Sequence, residues 1–520
     1  MTEVRGAALL QFEVNGQQVE VPDSGSTLLD VLREQLGIRS VKDGCSPQGQ
    51  CGCCTVLVDG QARVACVTPA RRVRGRSITT LEGLPPESSA AWGSAFCAAG
   101  GSQCGFCTPG IVLRLESLRA KGGDDVEQAL LAHLCRCTGW RTILDAWSLR
   151  DDPPAVAAGL ATSERATIEG RSPQSVGPAV ALGEGGFADD TAPPAALVAV
   201  PAADGGWAVG ETLSDARAAS GKVQGRRTTA DVVPPLDLPP GDWDVTLRTS
   251  WVEPAYLETD ASWCVPGGEP VTPSANGGAF GGKVASPAAG AARQLADEHD
   301  RPVRVVLSRE DTVRLGPKRP PIAAGLRRDG TGVVRVARTP GIAAAIASVA
   351  PDLVVEEVDI LGPTTSADLR AAGWAEALAL LAAMSGEKGP VEITSPDGAV
   401  ATAEVVLGEE PRIAVNVRCG EPLDEVVLRS YCVGAAHMAL SWVCSEGLAV
   451  DEHGEVHDLT IRSFGILRAI DTPPIDVTVE PDPGRPPVNG SDAVFAAVAA
   501  ATWIAQGTPP AWPTGLRPRP

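Results

Sequence analysis

Residues 9–22, LLQFEVNGQQVEVP, alternate apolar and polar positions on either side of Asn15-Gly16. A period of two marks a half-buried strand, and Asn-Gly supplies the positive-φ positions of a type I′ turn, so the segment predicts a β-hairpin. The next stretch, SGSTLLDVLREQLG, changes period: Leu28, Leu29, Leu32 and Leu36 share a helical face, Ser26 or Thr27 caps it, and Gly37 ends it. Alternation returns in CTVLVDGQARVACV, turned at Asp59-Gly60. A small β-grasp-like sheet carrying one helix accounts for the first ~75 residues.

From 85 to 147 the period is helical. Thr108 caps a helix with Pro109 at its first position and Ile111, Val112, Leu115 and Leu118 on one stripe; Val126, Leu130 and Leu134 repeat the pattern. The text then turns Ala/Pro/Gly-rich, which predicts a linker over 151–177. Beyond Pro178, β-like runs (WDVTLRTSWV, RPVRVVLS, IDVTVEP) mix with Ala-rich helices at 286–298, 371–384 and 493–505. The expected fold class is α+β, divided as 1–80 (sheet), 81–150 (helices), 151–177 (linker) and 178–520 (mixed α+β).

Fourteen cysteines in 520 residues are too few for a secreted disulfide scaffold. The N-terminus does not read as a signal peptide, and no run approaches the ~18 uninterrupted apolar residues of a membrane span. These readings predict a cytoplasmic protein with no membrane partner, where clustered thiols favour metal over disulfide. A net charge of −20 argues against nucleic acid, which needs clustered Lys and Arg.

The cysteines themselves fall into two sets. Cys45, Cys51 and Cys54 lie at C-x5-C-x2-C with Cys66 twelve residues on; Cys104 and Cys107 in QCGFCTPG precede Cys135 and Cys137 in LCRCTGW. The first spacing is close to that of plant-type ferredoxins, where three loop thiolates and one from a following strand hold a [2Fe-2S] cluster. A zinc site prefers two C-x2-C knuckles and only one half here has that spacing, so iron–sulfur is favoured over zinc or disulfide. Cys53 is expected to point away from its neighbours as a bystander. In the second set C-x-C is tight for one tetrahedral zinc and comfortable for a cluster.

In this order the two sets resemble the iron–sulfur subunit of the xanthine dehydrogenase family of molybdenum hydroxylases, over about residues 8–147. The resemblance implies a ferredoxin-like domain and a four-helix domain, each with one [2Fe-2S]. The ligands would be Cys45, Cys51, Cys54 and Cys66, then Cys104, Cys107, Cys135 and Cys137. It also implies that the helical cluster lies nearer molybdenum and that Gln103 holds the position that hydrogen-bonds the pterin.

A weaker resemblance to the family's molybdenum-binding subunit runs on through FADD (187–190), RTSWVEPAYLE (248–258), NGGAFGGK (276–283), VLSREDTVRLGPKRPP (306–321), ADLRAAG (367–373) and SDAVFAAVAAA (491–501). It makes Gly278, Phe280 and Gly281 candidates to approach molybdopterin and Arg370 a candidate substrate-pocket residue. This half is nevertheless about half the expected length, and Gly490-Ser491 stands where the family has its glycine–glutamate base pair. Asp492 and Glu258 are the remaining candidate acids. The favoured expectation is an electron-transfer subunit whose C-terminal half acts mainly in assembly, with molybdopterin in a partner chain and FAD in another. The alternatives are a compact self-contained hydroxylase of N-heterocycles or aldehydes, and a free ferredoxin-like carrier.

Overall fold

The computed structural model describes residues 9–154, 159–222, 230–274, 276, 278–386, 389–457 and 459–516. Its first sheet orders five strands as Gln17–Pro22, Leu9–Val14, Ser77–Thr79, Thr55–Val58 and Gln61–Val64. Both expected hairpin turns form, with positive φ at Asn15, Gly16, Asp59 and Gly60. Leu10, Phe12 and Val14 bury the inner face against the helical turn that starts at Leu28, capped by Thr27 and Asp30 in a reciprocal capping box.

Four helices follow, Pro86–Ala98, Thr108–Arg119, Val126–Ala129 and Arg141–Leu149. Trp92, Phe96, Ile111, Leu115, Trp140 and Ile143 fill the space between them and share one core with the sheet. The second helix is capped by Cys107 rather than Thr108. Cys107 thus stands at a helix N-terminus, yet its bond to Cys135 and its burial push the thiol well up.

The expected linker is only partly one. Residues 155–158 lie outside the described residues, but Leu160–Gly170 is a helix whose inner face buries Arg165 and Glu169 as an ion pair at 2.9 Å. Arg165 also donates to the carbonyls of Pro422 and Val488, each at 2.9 Å. A buried face made of a satisfied ion pair carries no apolar stripe, so hydrophobic periodicity does not reveal it.

Three further sheets build the rest. One orders Trp207–Gly210, Leu197–Pro201, Val303–Val306 and Ala261–Cys264; another Leu353–Val358, Gly332–Ala337, Ile322–Leu326, Val245–Thr249 and Ala511–Trp512. The last orders Val391–Thr394, Val400–Val406, Arg412–Arg418 and Ile475–Val479. Helices Ala288–His299, Trp374–Ser385 and Ser491–Ala505 lie close to the expected positions. Helix Glu425–Cys444 was not foreseen. Its 20 residues are long and apolar enough to cross a membrane, yet 89% of its most apolar window is buried inside the protein. An all-round apolar helix is a core helix and shows no amphipathic period.

Ion pairs join the first 150 residues to the remainder. Arg33 reaches Asp189 and Asp190 of FADD at 2.6 and 2.8 Å, and Arg304 reaches Glu34 at 2.6 Å. Arg136, between Cys135 and Cys137, makes a bidentate bond with Glu446 at 2.5 and 2.7 Å, both side chains being buried. Glu446→Ala leaves that guanidinium buried without a counter-charge and is expected to cost about 3–5 kcal/mol, read by denaturant unfolding. The double replacement Arg136→Met with Glu446→Leu is expected to cost less than the single one.

Candidate electron-transfer site

Two groups of four thiols lie inside the first 150 residues, the first linked in a chain of contacts and the second in two pairs. In the first, Cys45 contacts Cys51 and Cys66, and Cys66 contacts Cys54. All four are buried, at 1–3% exposure. The Gln48 amide donates to Cys45 Sγ at 3.2 Å and the Cys66 amide to Cys54 Sγ at 3.4 Å. Bonds from the Cys51 and Cys66 thiols hold Cys45 well below the usual thiol range, while Cys66 is pushed well up.

In the second group Cys104 and Cys137 sulfurs are 3.4 Å apart, and Cys107 contacts Cys135. That contact, with the Thr138 hydroxyl 3.0 Å from Cys135 Sγ, brings the Cys135 thiol down to about 7. Among the described residues no three His, Cys, Asp or Glu side chains converge as a single-metal site would require. A 2Fe-2S cluster takes four thiolates, two per iron, and each group brings four together. The eight thiols therefore fit two such clusters.

The two groups meet directly. The Leu134 amide, next to Cys135, donates to the Cys51 carbonyl at 3.0 Å. Gly110 permits the approach: a Cβ there would lie 2.4 Å from the Gly52 carbonyl and 2.8 Å from that of Cys53. His133 fills the remaining gap, its ring against Gly52 and its Nε2 3.2 Å from Thr55 Oγ1. Cys53 does not point away as expected. It is fully buried against the Cys51 thiol, and although that contact pulls its pKa down, burial and the surrounding thiols win and raise it.

The residues expected to meet molybdopterin are committed elsewhere. Gln103 donates to the Cys137 carbonyl at 3.1 Å and to Ser430 Oγ at 2.7 Å. Ser430 belongs to helix Glu425–Cys444, which reaches the second cysteine loop so closely that a Cβ on Gly434 would lie 1.8 Å from the Cys137 carbonyl. Tyr431 bonds Gln174 at 2.5 Å, and Asn276 holds the Gln103 and Cys104 carbonyls at 3.4 and 3.2 Å. Gly278 lies against the sulfurs of Cys104 and Cys137, Gly281 against the Asp368 carbonyl, and Phe280 under the Arg370 guanidinium at 4.7 Å.

The cavity beside them, lined by Arg136, Phe280, Arg370, Trp442, Glu446 and Phe495, has a volume of about 40 Å³. That is room for about one water, against the roughly 300–1,000 Å³ of a pocket for a drug-sized ligand. The residues present do not fit molybdopterin.

The candidate acids are likewise engaged. Asp492 pairs with Arg370 at 3.0 Å and with Arg171. Glu258 pairs with Lys283 at 2.6 Å, and burial outweighs the lysine to lift its pKa to about 7. At Ser491 the hydroxyl accepts from Arg370 at 3.2 Å. The amides of Gly490 and Ser491 donate to Glu169 at 3.1 and 2.8 Å. Glu169, from the supposed linker, is the carboxylate that sequence reading missed. Its i, i+4 spacing from Arg165 was the available signal.

Comparison with known proteins agrees with the iron–sulfur quarter. A 2Fe-2S iron-sulfur cluster binding domain model matches residues 12–72, and a [2Fe-2S] binding domain model matches 80–148. The chain is 41% identical over 139 residues to a probable xanthine dehydrogenase subunit of Bacillus subtilis, covering 26% of this chain and 80% of that one. It is 37% identical over 137 residues to the nicotinate dehydrogenase small FeS subunit of Eubacterium barkeri, covering 25% and 87%. The whole fold is similar to that of the aldehyde oxidoreductase from Desulfovibrio gigas, with a TM-score of 0.68 at 15% identity over 99% of this chain and 98% of that one. The chain belongs to the xanthine dehydrogenase family of molybdenum hydroxylases, through an iron–sulfur module that makes up its first quarter.

His437, on the helix that covers the second cysteine loop, supplies a pH prediction. Burial, aided by Arg136, pulls its pKa down to about 3. The folded protein thus refuses a proton that the unfolded chain binds below ~6.5, so this contribution is full above ~6.5 and is lost as pH falls towards 3. The slope is up to about 1.4 kcal/mol per pH unit. Denaturant midpoints of His437→Gln between pH 7 and 5 are expected to fall less steeply than those of the unaltered protein.

Proposed function

We propose that the chain relays electrons within a molybdenum hydroxylase complex, between a molybdenum-bearing partner and an FAD-bearing one. The observation that carries this is the pair of thiol tetrads joined by one hydrogen bond, from the Leu134 amide to the Cys51 carbonyl. When bound, each 2Fe-2S cluster takes up and gives back an electron. Cys45, Cys51, Cys54 and Cys66 would hold the first cluster, and Cys104, Cys107, Cys135 and Cys137 the second. The Gln48 and Cys66 amides and the Thr138 hydroxyl bond ligand sulfurs and so favour the more negative, reduced state. Cys104 alone of the eight is not fully buried, which makes its side the accessible edge of the second group.

The C-terminal half serves this relay as a body for assembly. Gln103, Gly278, Phe280 and Gly281 are used for internal packing, and the cavity of about 40 Å³ supports a non-catalytic reading. Its sheets and helices hold the cysteine loops in place and exclude water from them, which lowers the local dielectric around the charge being moved. The candidate acids Asp492 and Glu258 then act as ion-pair partners of Arg370 and Lys283.

Metal analysis of the chain purified alone without oxygen tests both parts. The expected result is about four irons per chain, two for each 2Fe-2S cluster. Molybdenum is expected only after partner chains are added; one molybdenum per lone chain would overturn the assembly reading. For the relay, Cys104→Ser is expected to remove one of two distinguishable reduced-cluster resonance signals and stop electron flow. Retention of both signals would strike Cys104 from the ligand set.

A further inference from the structure

Residues 60–81 hold five arginines and no acidic residue, in a chain with 64 Asp and Glu against 44 Lys and Arg. Arg76 pairs with Asp59 at 2.7 Å. Arg63, Arg71 and Arg72 are exposed, and among the described residues none has a carboxylate within ion-pair reach. They stand four or five positions from Val67, so the reach of the chain keeps them within ~18 Å of it. Val67 follows the candidate ligand Cys66 and is 57% exposed. It lies over the first cysteine loop: a Cβ on Gly49 would be 2.9 Å from Val67 Cγ1. The next residue, Gln50, accepts from Arg462 Nε through its carbonyl at 2.9 Å, and Arg462 is again exposed with no carboxylate in reach. A scattered surface valine is ordinary. One beside a ligand cysteine, among four unmatched arginines of an acidic chain, is not.

We propose that this face docks an acidic electron-carrier protein, whose carboxylates meet Arg71, Arg72 and Arg462 while its apolar surface covers Val67. The proposal rests on the relay reading above and names the chemistry of the carrier that takes electrons from the first cluster. One electron passes from the reduced cluster to the oxidised carrier, and no bond is made or broken. Redox encounters of this kind are small and short-lived, so charge complementarity governs how often they form. The net charge of −20 would repel an acidic carrier from a distance. Salt removes that long field first: at 0.1 M the screening length is ~10 Å, and only charges near the contact still act. The local arginines then outweigh the distant acids.

The test mixes the intact, cluster-loaded chain, reduced with dithionite, with acidic cytochrome b5 or basic cytochrome c in stopped flow. Reduction of cytochrome b5 is expected to slow about tenfold between about 0.1 and about 1 M salt. Arg71→Glu with Arg72→Glu is expected to slow it about tenfold at the lower salt and to leave cytochrome c reduction at least as fast. Arg412→Glu with Arg418→Glu makes the same change of net charge on a different sheet and is expected to leave cytochrome b5 reduction unchanged. Rates that rise with salt, or equal slowing by both pairs, mean that net charge governs the encounter and overturn the proposal. A cytochrome b5 rate untouched by Arg71→Glu with Arg72→Glu overturns it too, and leaves the relay standing. Absence of two reduced-cluster resonance signals from the unaltered protein would instead sink the relay itself. Should the glutamate pair lose a signal, Arg71→Gln with Arg72→Gln is measured in its place: slower cytochrome b5 reduction supports the face, and an unchanged rate overturns it.

Discussion

The contact on which the rest of the architecture depends is the seating of helix Glu425–Cys444 on the second cysteine loop. Three features make it close. Gly434 lets the helix backbone meet the Cys137 carbonyl, Ser430 takes the Gln103 amide, and Glu446, just past the helix end, neutralises Arg136. None of the three works alone. A buried guanidinium is tolerable only with its carboxylate, and the carboxylate comes within reach only if the helix lies flat on the loop. The same helix packs against Ser491–Ala505 and the sheet ending at Ile475–Val479, so its position on the cysteines fixes the far half of the molecule too.

This seating has an electrostatic meaning. Thiolates in a water-free setting are costly unless donors and metal compensate them. Gln48 and Cys66 supply donors to the first group and Thr138 to the second, and Glu446, just past the long helix, is paired with Arg136. Acidic residues are abundant in the chain, whose net charge is −20, yet the buried Glu446, Glu169, Glu258 and Asp492 are each paired with an arginine or lysine, and Asp43 beside Cys45 with Arg217. In this way the acidic surface is kept from the thiols.

The first 150 residues were legible because their signals are local. Turn residues at Asn15-Gly16 and Asp59-Gly60 and a capping threonine at 27 act within a few positions of chain, and the cysteines announce themselves by short fixed spacings. What escaped depends on distant partners. Helix Glu425–Cys444 is apolar on every side, so no period announces it; Leu160–Gly170 buries charge, so composition disguises it as a tether. Gln103 was expected to hydrogen-bond the pterin; here its amide donates to Ser430, 327 residues away. Cys53 was misjudged for the same reason. Spacing identifies ligands and says nothing about which way a neighbouring thiol turns.

The depth of the cysteines carries one more consequence, which concerns time. Seven of the eight candidate ligands are buried, partly beneath residues that follow them by about three hundred positions. Once helix Glu425–Cys444 has docked on the second cysteine loop, Cys107, Cys135 and Cys137 are out of reach of a delivery protein unless the molecule opens. At ribosomal speeds of about 5–20 residues per second, the covering helix emerges roughly 15–60 s after the helical domain is complete. Iron and sulfide must be installed within that interval, or by a factor that holds the later half open. The order of synthesis is thereby written into the order of burial.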